Sequence, residues 1–238
     1  MDSFHPRAHP SLPTVELHGY LRSNVCLTCR TEHSRADFQD TLAALNPTWA
    51  ASLEEAIRSG ALDTEDRVER SKRGLHTNPD GDVEIPDAPY STFRYPPCSV
   101  CVKEKPRLAN GEKAEIHVDA DGAWLPTSNA GVLKPAVIMF GESIPSAIKT
   151  AAEQAVDDAS RILVVGSSLA TYSAFRLVKR AREMGLPVGV LNMGGIRGEE
   201  ELFQGVLGGN RGEAGVRISQ SSEKILPGIV EKIRTMRE

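Results

Sequence analysis

Hydrophobic and polar positions divide this 238-residue chain into two stretches of different grain. Over residues 131–238, short apolar runs alternate with amphipathic ones. The runs 136–140 (AVIMF), 161–166 (RILVVG) and 187–192 (PVGVLN) have the length and content of buried strands, and 216–219 supplies a fourth. Between them, 146–159 is an Ala-rich helix entered through Pro145. The stretch 172–184 is an amphipathic helix stopped by Gly185, and 222–236 is a last helix. Buried strands alternating with helices predict a parallel sheet covered on both faces. The first 130 residues read differently. One strand candidate covers 14–17, and short helices are expected over 37–45 and 52–58, the second ended by Gly60. Residues 61–90 are polar, rich in Asp, Arg and Pro, and carry the turn cluster Asn78-Pro79-Asp80-Gly81. This predicts an exposed, partly flexible insert with a solvated surface.

Charge and composition narrow the classes. The formal net charge of −4 argues against a chain held on nucleic acid by a global basic field, so no direct nucleic-acid binding is expected. No apolar run approaches the ~20 residues of a membrane span, and no membrane partner is expected. The first residues, Met1 to Pro6, show neither a secretory nor an Arg-rich amphipathic leader pattern.

The four cysteines change the picture most. They form two Cys-x-x-Cys pairs, Cys26/Cys29 and Cys98/Cys101, with none left over. Each pair places two thiolates on one knuckle, and two knuckles complete a tetrahedral S4 site for one structural zinc. The 68 intervening residues exceed the ~15–20 of a compact zinc ribbon. Two disulfides or scattered buried thiols fit the pairing less well. Zinc-ligand thiolates imply a reducing compartment.

Two turns in the second stretch have the residues of a ligand crevice. Gly166-Ser167-Ser168 follows one strand and Asn192-Met193-Gly194-Gly195 the next. Small residues there let a backbone approach phosphate or ribose at the carboxyl ends of parallel strands. His18, before Gly19, has the chemistry of a general base and equally of a hydrogen-bonded structural histidine. His5, His9, His33, His76 and His117 are read as ordinary. Phe140-Gly141 suits the wall of a groove for an extended peptide, or a core Phe and a turn Gly.

Taken in order, ELHG (16–19), the two cysteine pairs, LKPAVIMFGE (133–142), VVGSSLATYS (164–173), VLNMGGIR (190–197) and ILP (225–227) resemble the sirtuins, NAD-dependent protein-lysine deacylases. GSSL, the YS pair and the LPxxxLN strand resemble the class II, mitochondrial sirtuin-4-type branch. The resemblance implies an α/β fold, an incomplete Rossmann-like parallel-sheet domain (1–25 and 131–238) with a small zinc-binding module (26–130) holding a long polar insert at about 35–95. It implies His18 as catalytic base and Cys26, Cys29, Cys98 and Cys101 as ligands of one structural Zn2+. Asp2, Gly166, Ser167, Ser168, Asn192, Gly194 and Ser222 would bind NAD. Ile138, Met139, Phe140 and Gly141 would bind the acyl-lysine protein or peptide substrate. The acyl group would pass from lysine to ADP-ribose with release of nicotinamide, in the mitochondrial matrix. Met139 stands where the family often has an aromatic, and its flexibility implies tolerance of acyl groups longer than acetyl.

The resemblance begins inside the family's Gln-Asn-x-Asp motif, at Asp2. The Gly-Ala-Gly-x-Ser loop that cradles NAD phosphates is not found, and Gly208-Gly209-Asn210 does not replace it. The expectation is therefore a C-terminal two-thirds of a sirtuin. The alternative reading is a truncated, catalytically inactive sirtuin acting as a zinc-containing protein-binding module.

Overall fold

The structure, a computed structural model, describes residues 3–64, 66–73, 75–77, 83–84, 90–205 and 213–236. Asp2, the turn cluster 78–81 and the glycine-rich 208–210 lie outside the described residues. The chain forms two compact units. One takes in residues 1–12 and 18–139, the other 13–17 and 140–238.

The first unit starts with a short helix α1 (Phe4–Ala8), then strands β1 (Gly19–Cys26) and β2 (Glu32–Ser34). Helices α2 (Arg35–Leu45), α3 (Pro47–Arg58) and α4 (Arg67–Lys72) follow, then the small hairpin β3 (His76–Thr77) and β4 (Val83–Glu84) and a 3-10 turn at Tyr90–Thr92. Helix α5 (Ser99–Glu104) and strand β5 (Leu133–Val137) complete it. Sheet order is β2-β1-β5, antiparallel throughout.

Three expectations are corrected over residues 14–140. Residues 14–17 form no strand; the strand starts at Gly19. Its sequence, GYLRSNVC, has no clean apolar alternation, and it is flanked by a paired strand on each side. The apolar run 136–140 is not a buried strand of the parallel sheet. Strand β5 ends at Val137, is only half-buried and pairs antiparallel with β1, while Phe140 is fully exposed. Helix α3 starts five residues earlier than expected, with Pro47 in its first turn where a missing N–H costs nothing.

The insert is more than solvated surface. Ser34 caps α2 by accepting the Asp37 N–H, and Asp66 caps α4 by accepting from Val68 and Glu69. Helices α2 and α3, with Leu62, Leu75 and Phe93, line an apolar cavity of about 330 Å3. Asn46 ties this element to the chain ahead of the second cysteine pair, donating to the Arg94 carbonyl at 2.6 Å and accepting the Arg94 N–H at 2.8 Å.

The second unit follows the predicted alternation: α6 (Ser146–Asp157), β6 (Ile162–Val165), α7 (Tyr172–Glu183), β7 (Val188–Leu191), α8 (Glu199–Phe203), β8 (Gly215–Ile218) and α9 (Ser222–Thr235). The strands form a parallel sheet, β6-β7-β8, in continuous register from Ile162↔Val188↔Gly215 to Val165↔Leu191↔Ile218. Val164, Val188 and Val190 from the sheet, Phe175 and Val178 from α7, and Leu202 from α8 form one buried cluster. Arg180 pairs with Asp157 through two hydrogen bonds, 2.5 and 2.7 Å, and Arg176 pairs with Glu153, so α6 and α7 are joined along their flanks.

Candidate functional site

The cysteine pairs meet because one segment holds both. The Val132 carbonyl accepts from the Leu27 N–H at 2.9 Å, and the Gly131 carbonyl accepts from Cys98 N–H at 2.8 Å. The Gly131 N–H in turn donates to the Thr28 hydroxyl at 3.1 Å. The first knuckle, and the helix α5 that carries the second, each end on a residue with positive φ. Arg30 (φ 62) donates its N–H to the Cys26 carbonyl, and Lys105 (φ 45) to that of Cys101. Pairs separated by 68 residues in sequence thus bring four sulfurs within 4.8 Å of one another.

The donor set fits zinc. Bonds of about 2.3 Å in a tetrahedron put sulfurs about 3.8 Å apart. Here Cys26–Cys101 and Cys29–Cys98 are each 3.6 Å apart, with no disulfide between them. Cys26, Cys98 and Cys101 are fully buried, Cys29 partly. Burial, with the neighbouring thiols, pushes Cys98 up to about 11 and Cys101 further still. Burial also raises Cys29, but hydrogen bonds from Thr31 and the other thiols outweigh it and bring it down to about 6. Sulfurs packed this closely and mostly shielded from water oppose one another's ionisation; a divalent cation removes that conflict by neutralising them together. His33, read from sequence as ordinary, lies at this cluster with Nε2 3.2 Å from Cys98 Sγ.

His18 immediately precedes β1 and meets the run expected to bind substrate. Its carbonyl accepts from the Ile138 N–H at 3.0 Å. Gly19 permits this approach. Its φ is +74, and a Cβ there would lie 2.1 Å from the Ala136 carbonyl oxygen. Ile138 is thus beside His18 in the first unit. Met139 and Phe140 beyond it are 54% and 101% exposed, so Phe140 is not a core residue.

The expected cofactor residues of the second unit gather at one edge of its parallel sheet. Gly166 follows β6, Asn192 and Gly194 follow β7, and Ser222 opens α9 after β8. All three strands run the same way, so these are carboxyl ends, where ligands of open α/β sheets bind. Gly166 has φ +62, and nothing lies within 4 Å of the position a Cβ would take. The loop behind it is fixed: the Leu169 N–H donates to the Ser167 hydroxyl at 3.2 Å, and the Arg197 N–H to the Ser168 carbonyl at 2.8 Å. A glycine with open space ahead of a braced loop fits the backbone of a dinucleotide. Asn192 Nδ2 donates to the Gly194 carbonyl at 2.9 Å, within its own turn.

Sequence reasoning missed Arg217. Its guanidinium donates to Glu199 (2.8 Å) and to the carbonyls of Asn192 (2.9 Å), Ile218 (2.7 Å) and Gly194 (2.6 Å). A charged residue between Val216 and Ile218 in an otherwise apolar strand was the available signal. Glu199 also accepts the Ile196 N–H, and these two partners hold its carboxyl below the usual range, Arg217 first.

A model of the Sir2 family matches residues 1–173. An NAD-dependent protein deacylase (SIR4) of Batrachochytrium dendrobatidis is 33% identical, covering 98% of this chain and 61% of that protein. The deacylase SRT2 of Arabidopsis thaliana is 33% identical over 84% of this chain and 44% of its own length. The mitochondrial lipoamidase sirtuin-4 of Bos taurus is 30% identical over 84% and 48%. This chain therefore spans about half the length of the curated relatives it matches. Among solved structures, Sir2Af2 bound to a myristoylated histone peptide superposes with a TM-score of 0.52 at 19% identity, covering all of this chain and 63% of that one. That likeness shows the fold. With a family model over most of its length and a relative one-third identical across nearly all of it, this chain belongs to the Sir2 family.

Proposed function

We propose that this chain serves an NAD-dependent protein-lysine deacylase, moving an acyl group from a substrate lysine to ADP-ribose with release of nicotinamide. The observation that carries the reading is the hydrogen bond between the His18 carbonyl and the Ile138 N–H. It sets an imidazole-bearing residue against the strand end that leads to exposed Met139 and Phe140. A peptide laid along that end by strand addition would present its acyl-lysine near His18. NAD supplies the ribose that receives the acyl group. His18 accepts a proton from a ribose hydroxyl, raising its nucleophilicity. Gly166, Ser167 and Ser168 offer backbone and hydroxyl donors to the cofactor, with Asn192, Gly194 and Ser222 on its adenosine side. Asp2 belongs to the same proposal from the resemblance alone. The zinc is closed and structural, saturated by four thiolates.

The sirtuin-4-type branch and a mitochondrial location are part of this proposal, supported by the similarity to the bovine protein. A flexible Met139 favours acyl groups longer than acetyl. The names of the relatives support an enzyme over a binding module. No helix among the described residues is long and apolar enough to cross a membrane. The test incubates the protein with NAD and peptides bearing acetyl, longer acyl or lipoyl lysine, reading nicotinamide and O-acyl-ADP-ribose by mass spectrometry. Both products are expected, and neither from His18→Ala. Equal nicotinamide release by the two proteins would reject the role of His18.

A further inference from the structure

We propose that His33 is a positioning residue of the metal centre, donating its Nε2–H to the Cys98 thiolate and thereby slowing zinc loss. The inference rests on the zinc reading of the four cysteines and is independent of the deacylase reading.

Strand β2 carries His33 into place. In the antiparallel ladder His33 stands opposite Asn24, two residues before Cys26 on the paired strand. The ladder sets the ring beside the sulfur cluster, with Nε2 3.2 Å from Cys98 Sγ. A zinc-bound thiolate has no proton to give, so this contact is a hydrogen bond only when the imidazole supplies the hydrogen. With the thiolate as acceptor, the hydrogen belongs on Nε2.

The need for such a donor follows from charge. Four thiolates around one Zn2+ leave a net charge of −2 in a site whose sulfurs are mostly buried. A backbone N–H meets part of it: Thr28 donates to Cys26 Sγ at 3.4 Å. His33 adds a side-chain donor to Cys98, the sulfur 3.6 Å from partly exposed Cys29. A donated hydrogen bond stabilises the buried thiolate over its protonated form, so the proton-assisted step that frees a sulfur from the metal is slowed. The four sulfurs already fill a tetrahedron, so the imidazole acts from outside it. Outer partners of this kind typically change metal affinity by about 10–100-fold.

The experiment follows zinc transfer from the intact protein to a chromogenic chelator, without NAD or peptide, for wild type, His33→Ala and His33→Gln. Failure of the deacylase reading would leave this readout unmoved. His33→Ala is expected to release zinc about 10–100-fold faster. His33→Gln, which keeps an N–H donor, should recover part of the difference and shows that the change is not a folding defect. Cobalt replacement gives a second readout. The sulfur-to-cobalt charge-transfer band should report four thiolates in all three proteins and shift slightly in His33→Ala. Equal release rates for wild type and His33→Ala would overturn the proposal. So would a wild-type cobalt spectrum of three sulfurs and one nitrogen, which would make His33 a ligand. A protein that binds no zinc would overturn it as well.

Discussion

Arg217 Nε donates to Glu199 Oε1 at 2.8 Å, and the rest of the same guanidinium holds three carbonyls around the end of β7. One side chain thus fixes the turn that carries Asn192 and Gly194. The Arg217 side chain is only 10% exposed, so removing it leaves those acceptors poorly hydrated. Arg217→Ala should lose roughly 1–3 kcal/mol of stability by chemical denaturation. Arg217→Lys keeps the charge but not the planar fork, and should fall between.

The same pair sets a pH dependence. Arg217 and the Ile196 N–H depress the Glu199 carboxyl in the folded state. Its contribution is therefore fully present above the unfolded glutamate value and fades as pH falls through the lower folded one. Thermal midpoints should be flat from neutral pH to about 5 and decline below about 4. Glu199→Gln should flatten that decline. An equally steep acid limb in the variant would assign it to other carboxylates.

Two glycines separate steric need from ligand access. At Gly19 an added Cβ would meet the Ala136 carbonyl at 2.1 Å with φ +74, so Gly19→Ala must part β1 from β5. A loss of about 3 kcal/mol or more, or failure to fold, is expected. Gly166→Ala meets no atom within 4 Å, and only its φ of +62 is costly, about 1–2 kcal/mol. Gly166→Ala should therefore fold and show weakened NAD binding by calorimetry, whereas unchanged binding would remove Gly166 from the cofactor site.

Metal removal should act on one unit. Both tryptophans, Trp49 and Trp124, lie in the first unit, where the buried thiols form a core cluster; Trp124 stacks on Tyr95 at 5.3 Å. Chelation should shift tryptophan emission sharply to the red, while the helical circular dichroism of α6, α7 and α9 is largely kept. Loss of both signals together would show that the units unfold as one.

Arg30 gives a stabilising change. It holds φ +62 at the close of the first knuckle, where a side chain costs about 1–2 kcal/mol. Arg30→Gly should raise the thermal midpoint of the zinc-loaded protein without altering zinc stoichiometry.

The alternation of strand and helix after residue 145 was legible because each strand is a short apolar stretch set between helical ones; the expected full burial was not met, since Leu163 and Val216 stand 59% and 43% exposed. The cysteine cluster was legible because the pairs are self-announcing. Strand β1 was not, since Tyr20, Arg22 and Ser23 give no apolar period and its place is set by partners distant in sequence. Phe140 misled because an aromatic in an apolar run reads as core, yet it stands in solvent. His33 and Arg217 carried no local motif; each gains its part only when a strand pairing brings it to a sulfur or a turn.

The buried thiols of the first unit have a consequence for how this module can change over generations. An ordinary core absorbs substitutions one at a time, because a lost methyl group leaves most contacts in place. Here Cys26, Cys98 and Cys101 occupy the centre, and with Cys29 they work as one set. Losing one member to a residue that cannot bind a metal forfeits the use of the other three, so the graded exits are narrow: a change to another ligand such as histidine. The four positions are therefore constrained as a set, in a way the cavity-lining helices of the insert are not.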